Sequence, residues 1–347
     1  MSSRGDDLTG NTETASLADA LQTVLAAAPQ FAFPIRDIRR QPSKYRSSFA
    51  LEEIIVRGAD GRSLAVMFKD LGWQSLTVAG QRAKPPLLYD PLREIDVYRG
   101  LLAGRSLGTA HCYGAVVDPA RQRYWIFLEK APGAELYQYG ELEVWKQAAR
   151  WLSRLHHDEE LRRAAESDGI RPRLMRYDAP RFRFWIDRAV EFVARRQGPQ
   201  VAARLAAMAV RYDEVARFLA SLPAMFLHGE FYASNVLVDT GQRPARVCAV
   251  DWELAGIGPA VLDLAALVVG KWTESQRAEL IAAYQAGLPA GHPWAADFAA
   301  LSHALDYARL HLAVQWLGWS PDWTPPEAHA YDWLAEAVQL GEKLGIL

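Results

Sequence analysis

The spacing of apolar residues changes along the chain and separates it into two parts. Before residue 131 most apolar segments are short and rich in β-branched and aromatic residues, whereas after it apolar residues recur at helical spacing. We therefore predict an N-terminal, sheet-containing domain over residues 15–130 and a mainly helical C-terminal domain over residues 131–347. Residues 1–14 are polar and acidic, and we predict that they form a disordered tail.

The predicted N-terminal elements are a helix followed by strands. Apolar residues at helical spacing behind Ser16 predict a helix that ends at Ala28, because Pro29 cannot continue it. Two strand patterns follow and are joined by the turn residues Gly58–Gly61. The other elements predicted here are a helix over Pro91–Ala103 and a hairpin that pairs His111–Val117 with Arg123–Leu128.

The C-terminal part is predicted to consist mostly of helices. A first apolar stripe, Leu142–Leu155, ends in His156 and His157, which we interpret as a helix end because no partner shows metal-ligand spacing. The other helices predicted by the same pattern are about Arg181–Arg196, Gln200–Leu222, Val261–Gly270, Glu274–Ala286, Trp294–Leu317 and Glu327–Leu344.

A predicted β-hairpin lies among these helices. Its strands are Val236–Val238 and Val247–Val250, and turn residues separate them. With Arg243 at the centre of the loop, Asn235 and Asp251 would face each other at the mouth of the hairpin. Carboxylate and amide oxygens are hard donors that suit Mg²⁺.

A second acid, Glu230, follows another short apolar segment a few residues upstream of the hairpin. Together with the amide and the carboxylate it gives three oxygen donors at strand ends. That arrangement is typical of phosphoryl transfer, in which positioning and charge neutralisation supply most of the catalysis.

Three segments in this region, HGEFYASN, VDWE and GPAVLDLA, resemble the signature of the aminoglycoside phosphotransferase and choline kinase superfamily. On that resemblance His228 supports the catalytic loop, Glu230 stands at the catalytic base, and Asn235 and Asp251 hold Mg²⁺. Asp263 matches a family aspartate that is more structural than catalytic.

The resemblance covers about residues 35–320 and implies an α+β, protein-kinase-like two-lobe fold. An antiparallel sheet would form the N-terminal lobe, and a larger, mainly helical C-terminal lobe would hold the catalytic loop and the metal-binding hairpin. The implied reaction moves the γ-phosphoryl group of ATP to a hydroxyl group of a small molecule. The choice between ATP and GTP stays open.

The chain departs from the family pattern at the base, where Glu230 replaces the usual aspartate. The extra methylene moves the carboxylate by about one bond length, and a misplacement of that size can cost about 100-fold in rate. Two interpretations follow: a working kinase with a rebuilt loop, or a nucleotide-binding relative with a regulatory role and little turnover.

The resemblance also implies a nucleotide site in the N-terminal lobe. Lys69 closes a predicted strand and matches the lysine that contacts the α and β phosphates, and Glu94 matches its acidic partner. Glu129 and Ala131 lie in the segment that matches the hinge, where backbone groups hydrogen-bond adenine. The loop Gln41–Ser48, which would cover the phosphates, contains no glycine, unlike the protein-kinase pattern.

The acceptor is expected to bind in the helical part. Trp316 and Trp319 are candidate substrate contacts because aromatic rings stack on sugars and attract quaternary ammonium groups, although tryptophan is more often buried in a core. Between Phe298 and Pro325 only Asp306 and Asp322 are acidic, which does not favour a polycationic acceptor. We expect a small, hydroxylated, neutral or weakly charged compound.

Net charge, cysteine content and one further motif argue against other partners, compartments and activities. The formal net charge of −2 gives no electrostatic reason to expect nucleic acid or an anionic membrane as a partner. Cys112 and Cys248 are far apart and show no metal-ligand spacing, which favours a reducing compartment. No apolar run reaches the ~18 residues that a membrane helix needs, so we expect a cytoplasmic protein. Gly104–Gly108 matches the hydrolase pattern G-x-S-x-G around Ser106, but a helix precedes it and a strand follows, the reverse of the order that this motif requires.

Overall fold

The computed structural model of the chain describes residues 5–28, 30–45, 48–319 and 331–347, with side chains from residue 16 onward except that of residue 79. The chain forms two compact units. The first consists of Met1–Gln81 with Ala110–Ala131, and the second of Arg82–Thr109 with Pro132–Leu347.

The first unit is built on an antiparallel sheet of five strands in the order β1-β2-β3-β5-β4. Its strands are β1 (Ile35–Pro42), β2 (Leu51–Gly58), β3 (Ser63–Asp70), β4 (Cys112–Asp118) and β5 (Arg123–Glu129). The two predicted hairpins are confirmed as β2–β3 and β4–β5. Strand β1 was not predicted, because this edge strand is mostly polar and shows no run of β-prone residues.

A helix, α1 (Gly5–Ala26), completes this unit and packs on the sheet. Leu17, Leu21 and Leu25 are buried against apolar side chains of the strands, among them Val66 and Phe68 of β3. The predicted helix is therefore present, but it begins at Gly5, within the segment that we predicted as a disordered tail. No proline interrupts the chain between these points, and acidic residues near the start of a helix stabilise it.

The second unit is mainly helical. The bounds of its helices, with α2 spanning the boundary between the units, are α2 (Val78–Ala83), α3 (Arg93–Asp96), α4 (Leu142–His156), α5 (Glu159–Ala165), α6 (Ala179–Gln197), α7 (Pro199–Ser221), α8 (Val261–Leu267), α9 (Glu274–Gln285), α10 (Phe298–Trp319) and α11 (Trp333–Lys343). Helix α3 continues into a π-helical turn over Val97–Leu102, within the helix predicted for Pro91–Ala103. Part of the predicted helix Glu327–Leu344 lies outside the described residues.

Two small sheets lie among these helices. The first has the order β10-β9-β6, and the second has the order β7-β11-β8. Their strands are β6 (Ala134–Glu135), β7 (Met175–Arg176), β8 (Ala224–Leu227), β9 (Val236–Asp239), β10 (Arg246–Ala249) and β11 (Gly256–Pro259). The predicted hairpin is β9–β10, and β8 carries the chain into the HGEFYASN segment.

The segment Arg82–Thr109 belongs to the second unit, whereas the sequence analysis assigned it to the N-terminal domain. Polar contacts, as well as apolar ones, hold this segment in the second unit. Arg93 donates to the carbonyl oxygens of Glu253 and Arg173, both at 2.6 Å. Lys84 forms a buried ion pair with Glu253. Buried charges require such partners, and the segment finds them in residues far along the chain.

Candidate active site

The β9–β10 hairpin sets the position of the predicted metal ligands. Ala249 pairs with Val236, and the N–H of Val250 donates to the carbonyl oxygen of Asn235 at 2.9 Å. Asn235 therefore faces Val250 rather than Asp251, so the predicted register was wrong by one residue. The loop over residues 240–245 contains an even number of residues, which moves its centre away from Arg243.

Asp251 follows this hairpin in an unusual backbone conformation. Its φ of 66° and ψ of 62° lie in the left-handed region, which is strained for an aspartate. The next residue, Trp252, is fully buried, and its indole N–H donates to the carbonyl oxygen of Ala249 at 3.1 Å. The turn thus buries Trp252 while Asp251 stays half-buried at the strand end. Strain of this kind is concentrated at functional sites.

The loop after β8 is held by the carboxylate of Asp263, at the start of α8. One carboxylate oxygen accepts the N–H of His228 at 2.7 Å, and the other accepts the N–H of Gly229 at 2.8 Å. Asp263 is completely buried, so these bonds form in a low-dielectric environment in which they are strong. The match of Asp263 to a structural family residue agrees with this role in fixing the loop.

Gly229 has no space for a side chain. Its φ is +87°, and a Cβ atom there would lie 2.3 Å from the carbonyl oxygen of Leu254 and 2.3 Å from the hydroxyl of Tyr177. Only glycine permits this approach of the loop to the segment after Asp251.

The ring of His228 connects the loop to the hairpin. Its Nε2 donates to the carbonyl oxygen of Val250 at 2.9 Å, and its Nδ1 accepts the N–H of Glu230 at 3.2 Å. These partners require the neutral imidazole with its proton on Nε2. Burial lowers the pKa of His228, which favours the same neutral form. His228 is therefore placed to support the loop rather than to exchange protons.

Asn235 is also bonded to this loop. Its side-chain amide N–H donates to the carbonyl oxygen of Glu230 at 3.0 Å, and the N–H of Tyr232 donates to the same oxygen at 2.7 Å. The amide oxygen of Asn235 is consequently the atom that can serve a cation. Glu230 itself is half-buried.

The donor set fits Mg²⁺ bound together with a nucleotide. Among the described residues, no group of three or more His, Cys, Asp or Glu side chains is arranged to hold a metal ion. Mg²⁺ usually uses one or two protein carboxylates and completes its coordination with water and substrate phosphates. The amide oxygen of Asn235 and the carboxylate of Asp251 are donors of that kind, so their role as metal ligands stays a prediction that the chemistry supports.

A buried chain of hydrogen bonds behind the loop was not predicted. His156, at the end of α4, contacts Asp263 through Nε2 at 3.2 Å and the hydroxyl of Tyr284 through Nδ1 at 2.9 Å. The sequence analysis treated His156 as a plain helix end. A histidine that closes an apolar helical stripe was the available signal, but its partners lie more than a hundred residues away.

Lys69 and Glu94 are buried, which is unusual for these residue types unless they are paired. Lys69 lies on β3, and its ammonium group is 5.3 Å from the centre of the Phe49 ring. Glu94 lies in the first turn of α3. The two residues belong to different units, and their ion pair stays a prediction.

The predicted hinge residues lie at the end of β5. Glu129 is the last residue of this strand, and its N–H donates to the carbonyl oxygen of His111 at 2.7 Å. Its carboxylate accepts the N–H of His111 at 2.9 Å. This N–H of Glu129 is therefore not the group that would meet adenine, and Ala131 stays the predicted hinge donor.

The two candidate substrate tryptophans have different surroundings. Trp316 contacts Tyr232, two residues after Glu230, with ring centres 5.4 Å apart, and it stacks on Trp333 at 5.5 Å. Trp319 instead stacks on Trp185 of α6 at 5.8 Å. Trp316 thus lies beside the loop that carries Glu230, whereas Trp319 packs against a helix. Tyr232 is an aromatic residue of this site that the sequence analysis did not single out.

Comparison with known proteins gives the family of this chain. A model described as the phosphotransferase enzyme family matches residues 54–298, which is more than half of the chain. The chain therefore belongs to that family, and the resemblance found in the sequence is confirmed. No curated protein matches the sequence.

Solved structures of the same fold come from several kinases. A putative aminoglycoside phosphotransferase from Ralstonia eutropha JMP134 is 16% identical, with 96% of this chain and 97% of that chain covered and a TM-score of 0.57. Choline kinase from Cryptosporidium parvum Iowa II is 15% identical, with 89% of this chain and 91% of that chain covered and a TM-score of 0.55. A wild-type aminoglycoside 2′-phosphotransferase-IIIa in complex with GDP is 14% identical, with 92% of this chain and 95% of that chain covered and a TM-score of 0.54. In the described part of the chain, no helix is long and apolar enough to span a membrane.

Proposed function

We propose that this protein transfers the γ-phosphoryl group of ATP or GTP to a hydroxyl group of a small molecule. The supporting observation is the bonding of the loop that carries Glu230. Asp263 accepts two of its N–H groups, and His228 bonds both the N–H of Glu230 and the carbonyl oxygen that precedes Asp251. A kinase needs this pre-arrangement because phosphoryl transfer depends mainly on position and charge.

Each residue has a proposed part in the reaction. Glu230 accepts or orients the proton of the acceptor hydroxyl, Asn235 and Asp251 would hold Mg²⁺, and Lys69, with Glu94 as its partner, contacts the phosphates. Bound Mg²⁺ neutralises charge on the transferred group. A bond forms between the acceptor oxygen and the γ-phosphorus, the bond to the bridging oxygen breaks, and the nucleoside diphosphate leaves. The backbone carbonyl oxygen of Glu129 and the backbone N–H of Ala131 would receive the base of the nucleotide.

We propose a neutral or weakly charged, hydroxylated acceptor that contacts Trp316. The contact between Trp316 and Tyr232 supports this position, because it brings an aromatic surface next to the Glu230 loop. Trp319 is the less favoured contact, since it stacks on Trp185. Phosphorylation of kanamycin-like compounds, with none of a panel of neutral alcohols and sugars, would contradict this choice of acceptor.

Nucleotide binding is tested first, by thermal shift with ATP and GTP, each with and without Mg²⁺. Ligand at ~100 times its dissociation constant adds about 2.7 kcal/mol of stability, which gives a readable shift. We expect stabilisation of the wild type that depends on Mg²⁺ and is lost in Asp251→Asn. The relative solved with GDP is the reason to include GTP. Stabilisation by neither nucleotide would contradict the proposal.

A second candidate function is a regulator that binds nucleotide without turnover. Glu230 at the position of the usual aspartate is the observation that favours it. The two functions are separated by a panel of hydroxylated acceptors with radiolabelled nucleotide. Transfer of label to any acceptor that depends on Asp251 identifies a kinase. Mg²⁺-dependent binding without transfer to any acceptor favours the regulator.

A further inference from the structure

A surface groove in the second unit is not part of the site described above. Its volume is about 650 Å³, and it lies between the chain before α3, strand β7 and the start of α6. The charged residues that line it are four arginines and two aspartates, namely Arg93, Arg173, Arg176, Arg181, Asp90 and Asp178. The groove is therefore basic, although the whole chain carries a net charge of −2.

Two of these arginines, Arg93, which is buried, and Arg181, which is half-buried, have no carboxylate in direct contact. Within the described residues, no acidic side chain lies within 4 Å of the guanidinium group of Arg93 or of Arg181. Arg93 bonds only to carbonyl oxygens, those of Leu88, Arg173 and Glu253. Arg181 bonds to the carbonyl oxygen of Arg176 at 3.2 Å and contacts a methionine sulfur.

The two aspartates of the groove have other partners. Asp90 accepts the N–H of Leu92 at 2.9 Å and lies 3.6 Å from Arg173. Asp178 caps α6 by accepting the N–H of Arg181 at 3.2 Å. These acids offset part of the charge but do not contact the guanidinium groups of Arg93 and Arg181 directly. The groove thus keeps an excess of positive charge.

Taking a cation out of water costs free energy in the folded protein, and the nearby carboxylates Asp90 and Asp178 offset only part of that cost for Arg93 and Arg181. Burial lowers the pKa of Arg93 and of Arg181, and the charge of Arg93 lowers that of Arg181 further. An anion between the two guanidinium groups would offset this cost. Guanidinium groups bind phosphate and carboxylate through pairs of parallel hydrogen bonds, which are among the strongest in proteins.

We propose that this groove binds a small molecule through an oxyanion, a phosphate or a carboxylate, held by Arg93 and Arg181. The apolar residues of the same groove, among them Leu87 and Phe184, would contact the rest of the ligand. The groove lies close to the catalytic loop, because Tyr177, which follows its residue Arg176, meets Gly229. The inference does not depend on the proposed reaction, since it rests on the groove alone.

The test is a thermal-shift titration of the full chain with inorganic phosphate and with malonate, each against sodium chloride of equal ionic strength. Near ten times the dissociation constant, the expected rise in Tm is about 2 °C. Arg181→Gln should lose this rise, whereas its Tm without anion should stay close to that of the wild type, because the lost bond to the carbonyl oxygen of Arg176 is offset by the removal of a partly desolvated cation. Arg195→Gln is the matched control, since it makes the same change in the last turn of the same helix.

The outcomes separate this groove from the nucleotide site. A response to phosphate or malonate that is lost in Arg181→Gln and kept in Arg195→Gln and Lys69→Met supports the proposal. No response, an equal response in Arg181→Gln, or a response lost only in Lys69→Met overturns it. Crystals soaked in selenate give a reading that needs no variant: anomalous selenium signal between Arg93 and Arg181 supports the site, and signal only elsewhere contradicts it.

Discussion

Glu230 is the residue at which the proposed chemistry is most directly testable. Its backbone carbonyl is held by Asn235 and Tyr232, so the start of its side chain is fixed. We expect Glu230→Gln to lower the rate of phosphoryl transfer by about 100-fold or more, because a group that accepts the hydroxyl proton is lost. Glu230→Asp should lower it by up to about 100-fold, since the carboxylate retreats by one bond.

The measurement is steady-state turnover with a working acceptor, with nucleotide affinity taken from thermal shift as the control. Affinity for the nucleotide should stay close to that of the wild type, because the proposed phosphate and metal contacts lie on other residues. If both variants transfer phosphate at the wild-type rate, Glu230 has no role in proton transfer.

Gly229 gives a prediction about stability that does not depend on activity. Gly229→Ala should lower the free energy of unfolding by about 3–5 kcal/mol, since the methyl group meets a carbonyl oxygen in a backbone conformation that disfavours alanine. Gly104→Ala is the matched control, because Gly104 has a φ of +74° and no atom within 4 Å of the added carbon. Urea unfolding of both variants measures the difference, and equal losses would show that the contacts at Gly229 relax without cost.

The sequence predicted the identity of the site residues better than the geometry that relates them. The HGEFYASN and VDWE segments gave His228, Glu230, Asn235 and Asp251 by type and spacing. The register of the hairpin could not be read to one residue, because the length of the loop, not the pattern of its strands, determines which residues face each other.

Helices α6, α7 and α10 pack together around a buried histidine, His311. Its Nδ1 lies 2.9 Å from the hydroxyl of Tyr212, and its ring contacts Phe182 edge to face. Burial, assisted by the positive charge of Arg181, lowers the pKa of His311 from 6.5 to about 3. The folded protein therefore holds this imidazole neutral.

This burial predicts a dependence of stability on pH. The unfolded chain binds a proton at His311 below pH 6.5 and the folded chain does not, so the contribution is complete above pH 6.5 and is lost as the pH falls towards 3. Below pH 6.5, one such group makes the free energy of unfolding fall by about 1.4 kcal/mol for each pH unit. Urea unfolding between pH 4.5 and 8 should show that His311→Gln reduces the wild-type slope by about that amount.

Tyr212→Phe is the control for this prediction. It removes the hydrogen bond to His311, which should cost about 1 kcal/mol at every pH, but it leaves the imidazole in place. The slope should then stay as in the wild type. A slope unchanged in His311→Gln would show that the imidazole takes up a proton without unfolding of the helices.

Apolar spacing predicted most helices of the second unit because their buried faces are continuous. The stripe of α4 and the bounds of α9 follow from the sequence almost to the residue. Strand β1 and helix α5 were missed, because each is short or polar and is held by contacts that spacing does not encode. The π-helical turn after α3 was likewise outside what a helical pattern can specify.

The division of the chain into two units does not follow the order of the sequence. Arg82–Thr109 leaves the sheet-containing unit and joins the helical one, although it is followed by two strands of the sheet. Sequence patterns could not show this, since the contacts join arginine side chains to carbonyl oxygens far along the chain. Arg93 donates to the carbonyl oxygen of Glu253, and Arg246 donates to those of Gly108 and Thr109 at 2.9 and 3.1 Å.

This division predicts which amide protons exchange together. Glu253→Gln removes the carboxylate that pairs with the buried Lys84, which should destabilise the second unit by about 3–5 kcal/mol. Amide hydrogen exchange should then become faster in Arg82–Thr109 and in β8 and β10 together, because cooperative units open as a whole. Exchange in β2, β3 and β5 should change little.

Glu52→Gln makes the same chemical change in the other unit and is the matched control. Glu52 lies on β2 and pairs with Arg40 of β1 at 2.7 Å. It is a quarter exposed, so its loss should cost about 1 kcal/mol or less and should accelerate exchange in the sheet alone. If Arg82–Thr109 instead exchanged with the sheet in either variant, the segment would open with the first unit. The contacts of Arg93 and Lys84 would then be too weak to hold Arg82–Thr109 in the second unit.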